Sequence, residues 1–339
     1  MDPLIHSISS NRKNYRQDVF PISQWTITTR KGIILQSKCT CKGSSEGASK
    51  ELKKAQDSDL DEFCNICRHV ISLPNLHSMP DMLFNENLLR LEHSSGVGIE
   101  FNALDALKLI EETKDPLQVA VADGWQSARA DFPFAKSVVR PFDWTFTTNY
   151  RGTLINVNRR KRKPAQQRSE PDSSSDSMSS MDNEEGKLVM DTTAKNKKAQ
   201  QQVDSQSCLV VEETDERIDV NKLKVREEIL FYDDITLYED ELADHGTAQY
   251  SVKVRVMPRS LFILARFYLR VDGVLARIND TRIYHEMGKS YLLREYTNRE
   301  AKLKPLNLPV STLINPNELI NNLPLIDIKC EKLSLPRHN

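Results

Sequence analysis

The stretch L-F-I-L-A-R-F-Y-L-R-V-D-G-V-L-A-R-I-N-D-T-R-I-Y-H-E, Leu261–Glu286, limits what the rest of the chain can be. Leu261–Leu264 is an unbroken apolar run. From Ala265 the sequence alternates, with Ala265, Phe267, Leu269 and Val271 on one face and Arg266, Tyr268 and Arg270 on the other. A period of two marks a strand with two unlike faces. Asp272-Gly273 follows, a dipeptide suited to a two-residue type I′ turn because both central residues there need positive φ. The chain then returns as a second strand, Val274–Ile278. Such a turn sets Leu269 opposite Ala276 and Phe267 opposite Ile278 on the core face, while Tyr268 and Arg277 meet on a charged face. Upstream, Ser251–Met257 places Val252, Val254 and Val256 against Lys253 and Arg255 and stops at Pro258, so three antiparallel strands are legible in one block.

Around this block the chain has 339 residues, enough for one large domain or two small ones. Its formal net charge of −1 lacks the imbalance of a general nucleic-acid binder or an acidic tail protein. No apolar run is long enough to span a bilayer, and the start of the chain, with Asp2, His6, Asn11, Arg12 and Lys13, lacks the apolar core of a signal peptide. The expectation is a soluble, cytoplasmic protein with no membrane partner. Six cysteines are too few for a disulfide scaffold, so reduced thiols are the default.

Residues 1–37 hold an N-terminal hairpin, with Trp25, Ile27 and Thr29 alternating before a Lys31-Gly32 turn into Ile33–Leu35. Residues 38–70 form an insertion bracketed by Cys39-Thr40-Cys41 and Cys64-Asn65-Ile66-Cys67. Four thiols in two close pairs could hold zinc; free thiols on an inserted loop are the other reading, since the first pair is spaced C-x-C and no glycine shapes a knuckle. In residues 71–155, Met82–Phe84, Leu88–Leu91 and Val97–Phe101 read as strands. Asn102 caps a helix carrying Leu104, Leu107 and Ile110. Asp115-Pro116 starts a second helix, and Arg140–Thr148 reads as a strand with Phe142, Trp144 and Phe146 on one side.

Residues 156–215 change composition: Arg159-Arg160-Lys161-Arg162-Lys163, then Ser, Asp and Glu, then Lys and Gln, without aromatics. Such a segment buries too little apolar surface to offset the entropy of ordering it, so a long disordered insertion is expected. The basic run is a nuclear-import signal, a nucleic-acid contact or a solvated charge cluster, which leaves a nuclear share of the protein open. Ser174, Ser175 and Ser177 beside acids suit acid-directed phosphorylation. Residues 216–339 resume with Ile218, a short helix capped by Asp219, two strands around Asp233-Asp234, a turn ending at Gly246 and the opening block. An exposed helical turn at Thr297–Lys304 and a last helix at Glu318–Leu323 follow. The fold class expected is α+β, with mainly antiparallel sheets in a sandwich-like core and a few peripheral helices.

Acids and histidines gather at Asp240, Glu241, Asp244 and His245 and at Asp280, His285 and Glu286. Brought together they could bind a divalent metal for hydrolysis. No helical His-x-x-x-His pair, Gly-rich phosphate loop or G-x-S-x-G elbow accompanies them, so acid-rich surface loops are the competing reading. Cys208 and Cys330 lie where no base is evident beside them. Sequence patterning therefore favours a binding protein without a cofactor over an enzyme.

The run from Arg270 to Glu286, with S-V-K-V-R-V-M-P (Ser251–Pro258) before it and L-L-R-E-Y-T-N-R-E (Leu292–Glu300) after it, closely resembles the TIP41-like family. The resemblance extends to G-I-E-F-N-A-L-D-A-L (Gly98–Leu107), P-F-D-W-T-F-T-T-N-Y-R-G-T-L (Pro141–Leu154) and Y-E-D-E-L-A-D-H-G (Tyr238–Gly246). It implies a non-enzymatic regulator that binds and restrains the catalytic subunits of type 2A protein phosphatases within TOR signalling. It also implies partner-binding residues at Asp105, Ile218, Ile278 and Asp280, where family members often have methionine in place of Ile278. Arg277, with Arg255 and Arg270, is expected to answer a carboxylate on a phosphatase segment, its C-terminal tail, laid in a groove or along a sheet edge. Each residue also has a structural explanation: Asp105 falls at N3 of its helix, Ile278 faces the core and Asp280 lies just past a strand end.

Overall fold

The computed structural model describes residues 6–7, 15–35, 73, 76, 79–110, 144–156 and 209–336, and it places them in two antiparallel sheets packed face to face. The six-stranded sheet runs β1 (His6–Ser7), β2 (Tyr15–Ile22), β3 (Trp25–Gly32), β5 (Leu88–His93), β6 (Val97–Asn102) and β7 (Thr153–Asn156). The eight-stranded sheet runs β4 (Met82–Leu83), β9 (Phe231–Asp240), β10 (Gly246–Met257), β11 (Ser260–Val271), β12 (Leu275–Glu286), β13 (Tyr291–Lys302), β14 (Leu325–Ser334) and β8 (Val210–Glu213). Among the described residues five short α-helices connect them: α1 (Ala103–Leu107), α2 (Val220–Lys224), α3 (Leu303–Leu306), α4 (Val310–Leu313) and α5 (Pro316–Leu319). The expected α+β class, mainly antiparallel with a sandwich core, is what is observed.

The sequence pattern explains the core. Val252, Val254 and Val256 of β10 and Ile263, Ala265, Phe267 and Leu269 of β11 point inward, against Phe20, Ile27, Leu89, Leu91, Ile99 and Phe101 of the facing sheet. Burying each large side chain stabilises by about 1.5–3 kcal/mol, so these two faces supply most of the drive to fold. Polar links staple the sheets: Trp25 Nε1 donates to His285 Nε2 at 2.9 Å, Asn87 Nδ2 to the Thr236 carbonyl at 2.6 Å, and Lys31 pairs with Asp233.

The hairpin at Asp272-Gly273 differs from expectation by one residue. Val271 pairs with Leu275, so three residues close the loop, and the Val274 N–H bonds to the Val271 carbonyl at 3.0 Å. Gly273 takes φ 68° while Asp272 is not among the positive-φ residues, which makes the turn type II instead of I′. The Asp272 N–H is bonded to the His245 carbonyl at 2.8 Å, which ties this turn to the one before it. Because side chains alternate along a strand, a slip of one residue exchanges faces. Tyr268 therefore stands opposite Ile278, Leu269 opposite Arg277 and Phe267 opposite Asn279.

The outer face of the eight-stranded sheet is thus not simply charged. At one end Tyr268, Ala276 and Ile278 pack beneath Leu303, Leu319 and Leu323. At the other, Ile218 covers Tyr284 and Leu293.

Other expectations change in the same way. The N-terminal hairpin turns at Ser23-Gln24, because Ile22 pairs with Trp25 and Ser23 has φ 52°; Lys31-Gly32 only ends β3. Asp233-Asp234 is no turn: both residues lie inside β9, where cross-strand pairing to β10 and ion pairs with Lys31 and Lys253 hold them extended. Thr297–Lys302 continues β13 instead of forming a helical turn, since β12 pairs with it throughout and β14 as far as Arg299. Val210–Glu213, placed by composition within the disordered insertion, is a strand paired to β14. The Asp115 helix, Cys39, Cys41, Cys64, Cys67, Arg159–Lys163 and the insertion through residue 208 lie outside the described residues.

The described part of the expected Arg140–Thr148 strand is irregular. Trp144, Thr145 and Phe146 are all buried, with Phe146 at φ 57°, so alternation of aromatics here marks anchors and not a strand. Side-chain hydroxyls take over the work of a ladder partner: Tyr238 Oη donates to the Phe146 carbonyl at 2.8 Å and Tyr250 Oη to the Tyr150 carbonyl at 3.0 Å.

Candidate functional site

The structure divides the five residues singled out by the sequence into two groups on opposite faces of the eight-stranded sheet. Asp280 is not past a strand end. It lies in the middle of β12 with no solvent exposure, because its cross-strand partner is Arg266 on β11. Arg266 Nε and Nη2 donate to its two carboxylate oxygens at 2.6 and 2.8 Å, a bidentate pair, and Arg266 Nη1 reaches Asn317 Oδ1 at 2.8 Å. Arg282, two residues on and so on the same face, donates Nη2 to Asp280 at 3.2 Å and Nη1 to Glu295 at 3.3 Å. Glu295 in turn accepts from Arg217 Nε at 3.1 Å. A ladder of alternating charge therefore crosses the outer face from α5 to the segment carrying Ile218.

Ile278 and Ile218 mark the two ends of this strip. Ile278 is fully buried under α3 and α5, on the face opposite to the one expected, and Ile218 is buried on Tyr284 and Leu293. Asp219 caps α2 as expected, accepting from the Asn221 N–H at 2.9 Å. Beside Ile218 a shallow cleft is lined by Arg217, Lys222, Tyr284, Glu286 and Tyr291. Lys222 donates to Glu286 at 2.7 Å across it.

Asp105 and Arg277 sit on the other side, joined through the irregular segment. Asn102 caps α1 by accepting from the Asp105 N–H at 2.8 Å, and its Nδ2 returns a bond to Asp105 at 2.9 Å, a reciprocal capping arrangement. Thr153 Oγ1 also donates to Asp105, at 2.7 Å. Burial works to raise the Asp105 carboxyl, but hydrogen bonds from Thr153, Asn102 and Lys108 outweigh it and hold the group below the usual range. Arg277 Nε pairs with Glu300 at 2.5 Å and its Nη1 donates to Thr147 at 3.0 Å, while Thr148 Oγ1 reaches the Ala106 carbonyl at 2.9 Å. The helix of Asp105 and the strand of Arg277 are thus tied to one buried loop. With side chains 27% and 22% exposed, Asp105 and Arg277 reach solvent where Ile218, Ile278 and Asp280 do not.

The acids and histidines do not converge. The His245 carbonyl meets Asp272 at one end of β11, whereas His285 pairs with Leu261 at the other. At about 3.3 Å per residue these ends lie roughly 35 Å apart. Asp240 accepts from the Leu242 and Asp81 N–H groups at 2.7 and 3.0 Å and serves the turn. Asp244 lies in that turn at φ 65°, exposed, and Asp280 is committed to arginines. His285 is committed too. An indole only donates, so His285 Nε2 accepts from Trp25 and its Nδ1–H faces the Tyr291 carbonyl at 2.9 Å. Among the described residues no group of three or more His, Cys, Asp or Glu side chains could hold a metal ion. The hydrolase arrangement of Asp240, Asp244, His245, Asp280 and His285 does not form, because cross-strand register separates it. Arg255 and Arg270 are committed within the chain as well, Arg255 to the Leu223 carbonyl at 3.0 Å and Arg270 to Asp272 at 2.7 Å.

Sequence reading missed Arg217, Arg266, Arg282 and Glu295. The signal was present in the period of two: Arg266, Asp280 and Arg282 occupy same-face positions on neighbouring strands once the register is set correctly. Comparison with known proteins now adds what geometry does not. A model of the TIP41-like family matches residues 82–307. The chain is 41% identical over 263 residues to a human protein named TIP41-like protein, covering 77% of this chain and 79% of that one. It is 31% identical over 334 residues to the Type 2A phosphatase activator TIP41 of Saccharomyces cerevisiae, covering 91% and 73%. It is 26% identical over 327 residues to the protein of the same description in Schizosaccharomyces pombe, covering 94% and 99%.

Proposed function

The chain belongs to the TIP41-like family, and from that premise we propose that it is a regulator that binds the catalytic subunits of type 2A protein phosphatases and performs no reaction itself. One observation carries this reading: two fungal relatives that align along nearly all of the chain are named for acting on type 2A phosphatases. The sign we propose is restraint, exerted within TOR signalling in the cytoplasm with a nuclear share. The names of the fungal relatives carry the opposite sign, activation, so turnover has to be measured alongside binding.

Geometry supports a division of labour. Asp105 and Arg277 reach solvent and touch the partner, whereas Ile218, Ile278 and Asp280 act by holding the outer face in shape. A sheet edge is also open to an extended segment, because β8 pairs only with Glu331–Ser334 of β14 and leaves Leu325–Lys329, paired to β13 on one side, without a strand on its other side among the described residues. Purified catalytic subunit is incubated with the full chain, then scored for capture and for phosphatase turnover. Wild type captures the subunit and lowers turnover, and a folded Asp105→Ala, Arg277→Ala double variant captures it poorly. Equal capture by both removes these two residues from the interface, and no capture by wild type removes the function.

A further inference from the structure

The outer-face ladder contains two carboxylates that are nearly or wholly buried and two arginines that are not. The Glu295 side chain is 5% exposed and that of Asp280 is fully covered, while those of Arg282 and Arg217 are 28% and 58% exposed. Burying carboxylates costs more than leaving them in water, so their placement under exposed guanidiniums needs a reason. One reason is orientation. Glu295 is gripped from two sides, by Arg217 Nε at 3.1 Å and Arg282 Nη1 at 3.3 Å, so both guanidiniums are fixed about one point. Arg217 keeps both Nη groups, and Arg282 its Nε, without a hydrogen bond among the described residues. Three guanidiniums, counting Arg266, share only two carboxylates in the ladder. The Thr297 hydroxyl, opposite Asp280 in the sheet, is buried without a hydrogen-bond partner among the described residues.

We propose that Arg217 and Arg282 form an anion-recognition pair, held in place by Asp280 and Glu295, that receives an acidic side chain from an extended segment of a protein partner. This deepens the reading of the chain as a phosphatase-binding regulator and rests on it. The surroundings favour a single carboxylate over a polyanion. Glu216, Asp219 and Glu286 line the adjoining cleft, and its Lys222 and Lys289 are already paired to Glu286 at 2.7 and 3.5 Å, so little positive charge is left there for a run of phosphates, while Tyr284 and Leu293 offer an apolar wall for the neighbouring residue of a peptide. Asp280 is then a positioning residue: with no exposure it touches no partner, and it fixes Arg282, which fixes Glu295 and Arg217.

The test is fluorescence anisotropy of the full chain with a labelled, amidated oligoglutamate peptide ending in leucine, beside its glutamine counterpart and an oligothymidylate. The glutamate peptide binds more tightly than the glutamine peptide, and its binding weakens as ionic strength rises. Arg217→Ala, at an exposed position whose loss leaves circular dichroism unchanged, weakens it about tenfold, as expected for a lost charge-assisted contact. Lys222→Ala changes it by less than about twofold, because that ammonium is already held by Glu286. Equal binding by wild type and Arg217→Ala, equal binding of the two peptides, or tighter binding of the oligothymidylate overturns the proposal. Capture of the phosphatase subunit, run in parallel, separates the claims: intact capture without peptide binding overturns the anion pair alone. Arg217-dependent peptide binding without capture supports the pair and overturns the partner.

Discussion

Replacing Asp280 by alanine removes a fully buried carboxylate that neutralises two arginines at once. Arg266 loses both bonds of a bidentate pair, at 2.6 and 2.8 Å, and Arg282 loses one at 3.2 Å. Arg266 has only 10% of its side chain exposed, so water cannot take the place of the carboxylate. Breaking a buried pair from one side costs about 3–5 kcal/mol, most of it the penalty of leaving a charge without a counter-charge. With an m value of about 3 kcal/mol per M for a chain of this size, the urea midpoint falls by roughly 1–1.7 M. The double variant Asp280→Leu, Arg266→Met removes both charges together and recovers most of that loss, because an apolar pair of similar volume needs no compensation. Urea denaturation followed by tryptophan fluorescence reads all three proteins. A midpoint for Asp280→Ala within about 0.2 M of wild type would refute the reasoning. It would mean that Asp280 is as dispensable to the fold as a surface contact.

Burial holds the His285 imidazole below its ordinary value, and the neutral form is the one that accepts from Trp25; its folded-state pKa is therefore depressed, so its contribution is fully present above about pH 6.5 and is lost as pH falls toward the folded value. Stability measured by urea should drop between pH 7.5 and 5.5 in wild type, and Trp25→Phe should cost about 1–2 kcal/mol at the higher pH while making that drop shallower; an equally steep drop in the variant argues against His285 as its source. Tyr250→Phe leaves the Tyr150 carbonyl unpaired in the core and should cost about 1–3 kcal/mol, read from the thermal midpoint, with no change expected only if that carbonyl finds water. Ile278→Ala opens a cavity in the small cluster under α3 and α5 and should cost about 2–5 kcal/mol in urea, and a cost well below 1 kcal/mol would contradict its full burial.

These costs bear on how binding experiments are read. Ile218, Ile278 and Asp280 are buried, so their substitution alters the surface by altering the sheet beneath it. Asp105, Arg277 and Arg217 are the positions where a change in partner capture can be separated from a change in folding. For Asp105 the separation is incomplete, since its carboxylate also receives the Asn102 and Thr153 donors that fasten α1 to β7. Stability and capture therefore have to be measured on the same preparations.

The central block of antiparallel strands was legible in the amino-acid sequence, because the period of two in Ser251–Met257 and Leu261–Val271 depends only on which faces are buried. The sequence also determined the caps at Asn102 and Asp219, which depend on the next three residues alone. Family membership was legible for the same reason, as motifs are local strings. Only the tertiary structure decided the register at Asp272-Gly273, because a bond from the distant His245 carbonyl selects a three-residue loop over the two-residue one that the dipeptide prefers. That single slip sends Ile278 and Asp280 to the outer face and Arg277 to the inner, which no neighbouring residue could reveal. The charge ladder from Asn317 to Arg217 is likewise a product of five chain segments meeting, and electrostatic pairing between them exists only once the sheet has brought them within reach.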